Sequence, residues 1–151
     1  MDHGERAKAL FYEGYNCAQA VFCAFTDVTG LSVDEAARIA SSFGGGMGRL
    51  REVCGTMSAA ILVLGYARGY SDPKDPEAKA RHYRRVQAYA ARFREANGAL
   101  LCRDLLAGVE TTEGPEPEAR TPEYYARRPC PMIVCRAARI LEEMLAEPDI
   151  E

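Results

Sequence analysis

The side chains most able to do chemistry in this sequence are six cysteines, at positions 17, 23, 54, 102, 130 and 135. Their spacing contains no CxxC and fits no zinc finger or ribbon. Residue type alone leaves two active uses of sulfur open: thiol–disulfide exchange through a low-pKa thiolate, and ligation of iron or zinc. A third use is inert, with cysteine as a small buried hydrophobe. Position divides the six into two groups. Cys17 follows Asn16, which pairs with Gln19 as a capping box. Cys54 stands between a glycine-rich stretch and the apolar run Met57–Leu64, Cys102 opens the segment Cys102–Leu106, and Cys130 precedes Pro131. Each is a predicted helix start, where unpaired N–H groups and the helix dipole favour a thiolate. Cys23 and Cys135 lie one to two turns further along their helices, rotated by about 120° and 140° from Cys17 and Cys130, so they point elsewhere.

Gly44, Gly45, Gly46 and Gly48 precede Cys54. Such a stretch reaches positive φ and lets other groups approach the backbone. There is no Walker lysine and no preceding strand, so a phosphate cradle is not indicated; a cofactor-approach or close-packing role is. Cys54 is the expected nucleophile, with Arg49 and Arg51 beside it in sequence and a pKa below the ordinary value of about 8.5. Cys17, Cys102 and Cys130 are the expected resolving residues, or the remaining ligands if a metal is held. If the four act together, the fold must bring at least three of their sulfurs into one pocket beside the glycine loop. His3 falls in a terminal segment expected to fray, and His82 on a helix surface. Ser41, Ser42 and Ser58 lack a nucleophile-elbow context.

The elements that position these residues read as helices. Apolar residues recur at helical spacing over 5–15, 17–26, 32–43, the stretch from Cys54 to about Gly69, 76–97 and 130–145. Ser32 with Glu35, and Asp75 before Pro76, mark further helix starts. The segment 110–122, rich in Gly, Pro, Thr and Glu, reads as an exposed loop, with a helical turn beginning near Pro122. The expectation is an all-α, compact helical bundle of five to six helices forming one domain over residues 1–151.

Apolar residues make up 48% of the sequence and charged ones 27%, the balance of a globular protein rather than a disordered one. A net charge of −3 without a basic run argues against nucleic acid as a partner. The apolar run is shorter than the roughly 20 residues a membrane-spanning helix needs. With no secretory pattern at the start of the sequence, the cytoplasm is the expected location. In that reducing compartment, structural disulfides are disfavoured.

Asn16-Cys17-Ala18-Gln19-Ala20-Val21, Phe43-Gly44-Gly45-Gly46-Met47-Gly48, Val53-Cys54-Gly55, Cys102-Arg103-Asp104-Leu105-Leu106 and Cys130-Pro131 occur in that order. Together they resemble the family of redox-active proteins named for its C…GCAxxG…C…C pattern. The similarity runs from about Ala7 to Leu145. Thr56 and Ala59 depart from it, standing where a small residue and a glycine are usual. The resemblance maps the family's four cysteines onto Cys17, Cys54, Cys102 and Cys130, and it implies an iron–sulfur cluster as a cofactor. The leading expectation is therefore a redox protein using four cysteines for thiol/disulfide exchange or electron transfer with an unidentified redox partner. The alternatives are a cysteine-ligated iron–sulfur or other metal-binding protein, and a non-catalytic helical interaction module with structural cysteines. The sequence leaves oligomeric state open.

Overall fold

Side-chain caps set where several of the helices begin. In the computed structural model, which describes residues 2–150, Asp2 caps α1 (His3–Tyr12) by accepting from the Glu5 amide at 2.7 Å. Asn16 and Gln19 form the reciprocal capping box that opens α2 (Cys17–Cys23). The chain continues through α3 (Thr26–Thr29), α4 (Val33–Ala40, capped by Ser32), a 3₁₀ turn at Ser41–Phe43, and α5 (Gly55–Arg68). Asp75 and Pro76 start the long α6 (Pro76–Asn97), followed by α7 (Cys102–Leu105), α8 (Pro122–Arg127) and α9 (Cys130–Ala146). The described residues form no β-sheet; an isolated antiparallel bridge joins Val53 to Leu101.

The class is all-α, but the expected five to six helices are nine among the described residues. The surplus lies in short elements. α3, α7 and α8 have four to six residues each, too few to display a hydrophobic period. Isolated helices this short do not persist in water, so tertiary packing and local caps hold them. Thr121 supplies such a cap to α8 by accepting from the Tyr124 amide.

α2 lies in the middle, packed against α1, α4, α5 and α9, while α1 rests along α9. Ala18, Ala20, Val21 and Phe22 of α2 are buried, as are Ala59, Ala60 and Val63 of α5, the helix it packs on. Small side chains on both helices bring the two backbones close, which places the start of α2 against the start of α5. Phe11, Phe25, Phe93 and Leu141 fill the remaining core and are essentially without solvent contact. Truncating such a phenylalanine to alanine typically costs about 3–5 kcal/mol. Tyr89 is buried with them and donates its hydroxyl to the Ala137 carbonyl at 2.8 Å, tying α6 to α9. No helix among the described residues is long and apolar enough to cross a membrane.

Candidate functional site

The glycine loop runs in an unusual hand. Residues Gly45, Gly46, Met47, Gly48 and Arg49 have consecutive φ values between 56° and 70°, and Arg51 follows at 61°. Left-handed backbone costs an L-residue roughly 1–2 kcal/mol and is ordinarily visited singly. Here the coil is closed by its own hydrogen bonds, Arg49 N–H to the Gly44 carbonyl at 3.1 Å and Glu52 N–H to the Gly46 carbonyl at 3.0 Å. Two glycines are also demanded by neighbours. A Cβ at Gly44 would lie 2.5 Å from the Asn16 side chain, and one at Gly46 would lie 2.7 Å from the Cβ of Cys102.

Beyond the coil the chain pairs with the segment before α7. The Cys54 amide donates to the Leu100 carbonyl at 2.8 Å and the Cys102 amide to the Glu52 carbonyl at 2.6 Å, around the Val53–Leu101 bridge. This pairing sets Cys54, the residue capping α5, close to Cys102, the first residue of α7. Cys17 opens α2 and its sulfur rests over Gly55, where an added Cβ would stand 2.9 Å away. Cys130 opens α9. All four cysteines, with Gly44, Gly45 and Gly48, line one cavity of about 280 Å³. Gly46 lies behind it, against Cys102. Cys23 and Cys135 are buried elsewhere, the Cys23 thiol donating to the Val33 carbonyl at 3.7 Å.

Residues 15–144 match the family described as "Putative redox-active protein (C_GCAxxG_C_C)". The chain belongs to that family. Among the curated proteins and the solved structures, none matches significantly.

Within this family member the sulfurs are set differently from the chemistry expected of them. All six cysteines are free thiols, which corrects the expected dithiol/disulfide couple. No group of three or more Cys, His, Asp or Glu side chains among the described residues is placed to hold a metal ion, which corrects the expected iron–sulfur or other cysteine-ligated centre. The redox, electron-transfer and metal-binding reading falls with those two expectations. Burial gives the physical reason. It pushes the Cys54 thiol up to about 12, with the neighbouring Cys17 adding to the rise and the Thr56 hydroxyl, 3.1 Å from the sulfur, opposing it. Burial also raises Cys17, against the opposing N–H of Gly45, and raises Cys130 to about 11 against Arg128. A helix start favours a thiolate only where the sulfur keeps solvent or a strong counter-charge. Cys54 is 6% exposed and has neither.

Arg49 and Arg51 do not serve Cys54. Arg49 donates to the carbonyls of Thr112, Gly114 and Glu116 and to the Thr112 hydroxyl. Arg51 reaches the Thr112 carbonyl at 3.3 Å and the Cys102 sulfur at 3.9 Å. The segment 110–121 is the mostly exposed loop that was expected, but these bonds tie it down beside the cavity as a strap, and Pro115, Pro117 and Glu118 form part of the cavity wall. Arg120 fastens the strap's far end, donating to the Phe11 carbonyl at 3.0 Å and the Tyr15 carbonyl at 2.9 Å while lying over the Phe11 ring. Glu118 is held by Arg127 at 2.7 Å and by Arg128. Arg120, Arg128, Glu118 and Tyr124 are site residues that sequence reasoning missed. Tyr124 and Arg128 have one sequence signal, their position just before Cys130, and Glu118 and Arg120 have none.

Proposed function

We propose that the protein is a non-catalytic helical interaction module, one domain over residues 1–151, whose pocket receives a small molecule. Cys17, Cys54, Cys102 and Cys130 serve it as structural thiols that pack the helix starts and line the pocket. Gly44, Gly45, Gly46 and Gly48 shape the adjoining wall. The observation that carries this reading is the meeting of four cysteines, from the starts of α2, α5, α7 and α9, around one cavity. Burial supports their structural role, because a thiol held above its ordinary pKa is not a ready nucleophile at neutral pH. The cavity size, about 280 Å³, sits just under the roughly 300 Å³ lower bound of drug-sized pockets, which suits a compact ligand. Free thiols fit a cytoplasmic setting. The reading requires no redox partner and no nucleic acid.

Crystals soaked with a panel of small aromatic and aliphatic fragments test it. Fragments are expected among the four sulfurs, Phe11 and Ile133. Fragments confined to the outer surface, with the cavity left untouched throughout the panel, would sink the proposal.

A further inference from the structure

The cavity carries an excess of positive charge that its own residues do not balance. Four arginines line it, Arg49, Arg51, Arg120 and Arg128, against Glu118 as the single carboxylate. Glu118 is already shared between Arg127 and Arg128. Arg49, Arg51 and Arg120 have no carboxylate at ion-pair distance among the described residues. Arg49 and Arg120 instead donate to backbone carbonyls, which fix the guanidinium groups without neutralising them. Neutral thiols add nothing negative.

A second observation is independent of this inventory. Arg128 is 8% exposed, and its Nε is buried without a hydrogen-bond partner among the described residues. A buried donor on a charged group is costly to leave unpaired, and such groups in native structures ordinarily find an acceptor. Arg128 lines the cavity beside Cys130, with Nη2 donating to Glu118 and the guanidinium lying over the Tyr124 ring at 4.5 Å, so the group that carries this unpaired donor is part of a wall that also offers aromatic surface. Leu105, Leu106 and Ile133 extend that apolar surface.

Building on the reading of the cavity as a binding pocket, we infer that its ligand is a small organic oxyanion with an apolar body. The anionic head is held by Arg128 in the surplus field of Arg51 and Arg120, and the body lies against Phe11, Tyr124 and Ile133. The guanidinium supplies charge-assisted hydrogen bonds of the kind that recognise carboxylate and phosphate.

Benzoate and benzyl alcohol, nearly equal in shape and different in charge, are the probes, titrated into the whole protein and followed by NMR of the cavity methyl groups of Leu105, Leu106 and Ile133. Benzoate is expected to bind about tenfold more tightly than benzyl alcohol, and Arg128→Gln to remove that preference, the ratio of the two affinities within each protein being the readout. Equal binding of the two probes to the unaltered protein overturns the anion inference and leaves the pocket reading standing. A folded Arg128→Gln protein that keeps the preference also overturns it. If neither probe moves the cavity resonances, the pocket reading fails and takes the inference with it. Should Arg128→Gln not fold, Arg51→Gln on the half-buried rim decides: a drop of about threefold in the preference supports the inference, and an unchanged preference overturns it.

Discussion

Replacing Gly46 by alanine tests whether the left-handed coil exists to let Cys102 come close. Two costs add at this position. The backbone has φ = 70°, which an alanine adopts at roughly 1–2 kcal/mol. The new methyl would also lie 2.7 Å from the Cys102 Cβ, 2.8 Å from the Glu52 amide nitrogen and 2.9 Å from the Arg51 Cα. Two of those three atoms are backbone and cannot swing aside, so overpacking contributes about 1–3 kcal/mol more. The expected loss is about 2–5 kcal/mol in all. Gly30→Ala is the internal control, because Gly30 has φ = 72° with nothing within 4 Å of the added methyl. It bears the conformational cost alone, about 1–2 kcal/mol. Urea denaturation of both variants isolates the packing part as the difference between them. Equal losses would show that close approach of Cys102 to the coil contributes nothing, and the account of how the site is assembled would be wrong.

Other perturbations reach different parts of the molecule. Alkylation of Cys54 by iodoacetamide should be slow at neutral pH and accelerate only as the pH climbs toward about 12, since burial raises that thiol; a reaction profile like that of a free thiol contradicts its buried setting. Burial pushes the Glu118 carboxyl up, but Arg128 and Arg127 more than offset this, so its folded pKa lies below the ordinary 4.5. Its stabilisation is therefore complete above the unfolded value and lost as pH falls through the folded one; Glu118→Gln should flatten the acid limb of the stability profile below about pH 4.5, and an unchanged limb refutes the coupling. Arg49→Lys keeps the charge but loses the fork that grips three strap carbonyls, so protease cleavage within 110–121 should speed up several-fold while thermal stability changes little. Cleavage as slow as in the unaltered protein would show that the strap is held by something else.

Much of this was legible in the sequence where the signal is local. Capping chemistry at Asn16, Ser32 and Asp75 gives the starts of α2, α4 and α6. The division of the cysteines into four and two follows from helical rotation, and the four do line one cavity. What was illegible depends on distant partners. A helix-start thiol looks activated until one knows how deeply it is buried, and burial is set by residues tens of positions away. His3, expected to fray, is instead stacked on Phe25 with centroids 4.2 Å apart and bonded to Asp27 and Glu142. His82, expected on a helix surface, is buried together with Arg85 where the C-terminal segment folds back and Asp149 pairs with Arg85 at 2.7 Å. The strap is the mostly exposed loop that its composition predicts, but nothing local announces that Arg49 will gather its carbonyls.

The packing of α1 along α9 carries a consequence for biosynthesis. Tyr12 ends the first helix and Cys130 begins the last, so 118 positions separate the two partners. At elongation rates of roughly 5–20 residues per second, α1 leaves the ribosome some 6–24 s before the surface it rests on has been made. Through that interval Ala7 and Phe11, both buried in the finished protein, have no α9 to cover them. Cys17 and Cys54 likewise wait for Cys130. Nascent chains stalled before α9 therefore present an apolar helix and unprotected thiols together, the features by which chaperones and oxidants find incomplete proteins.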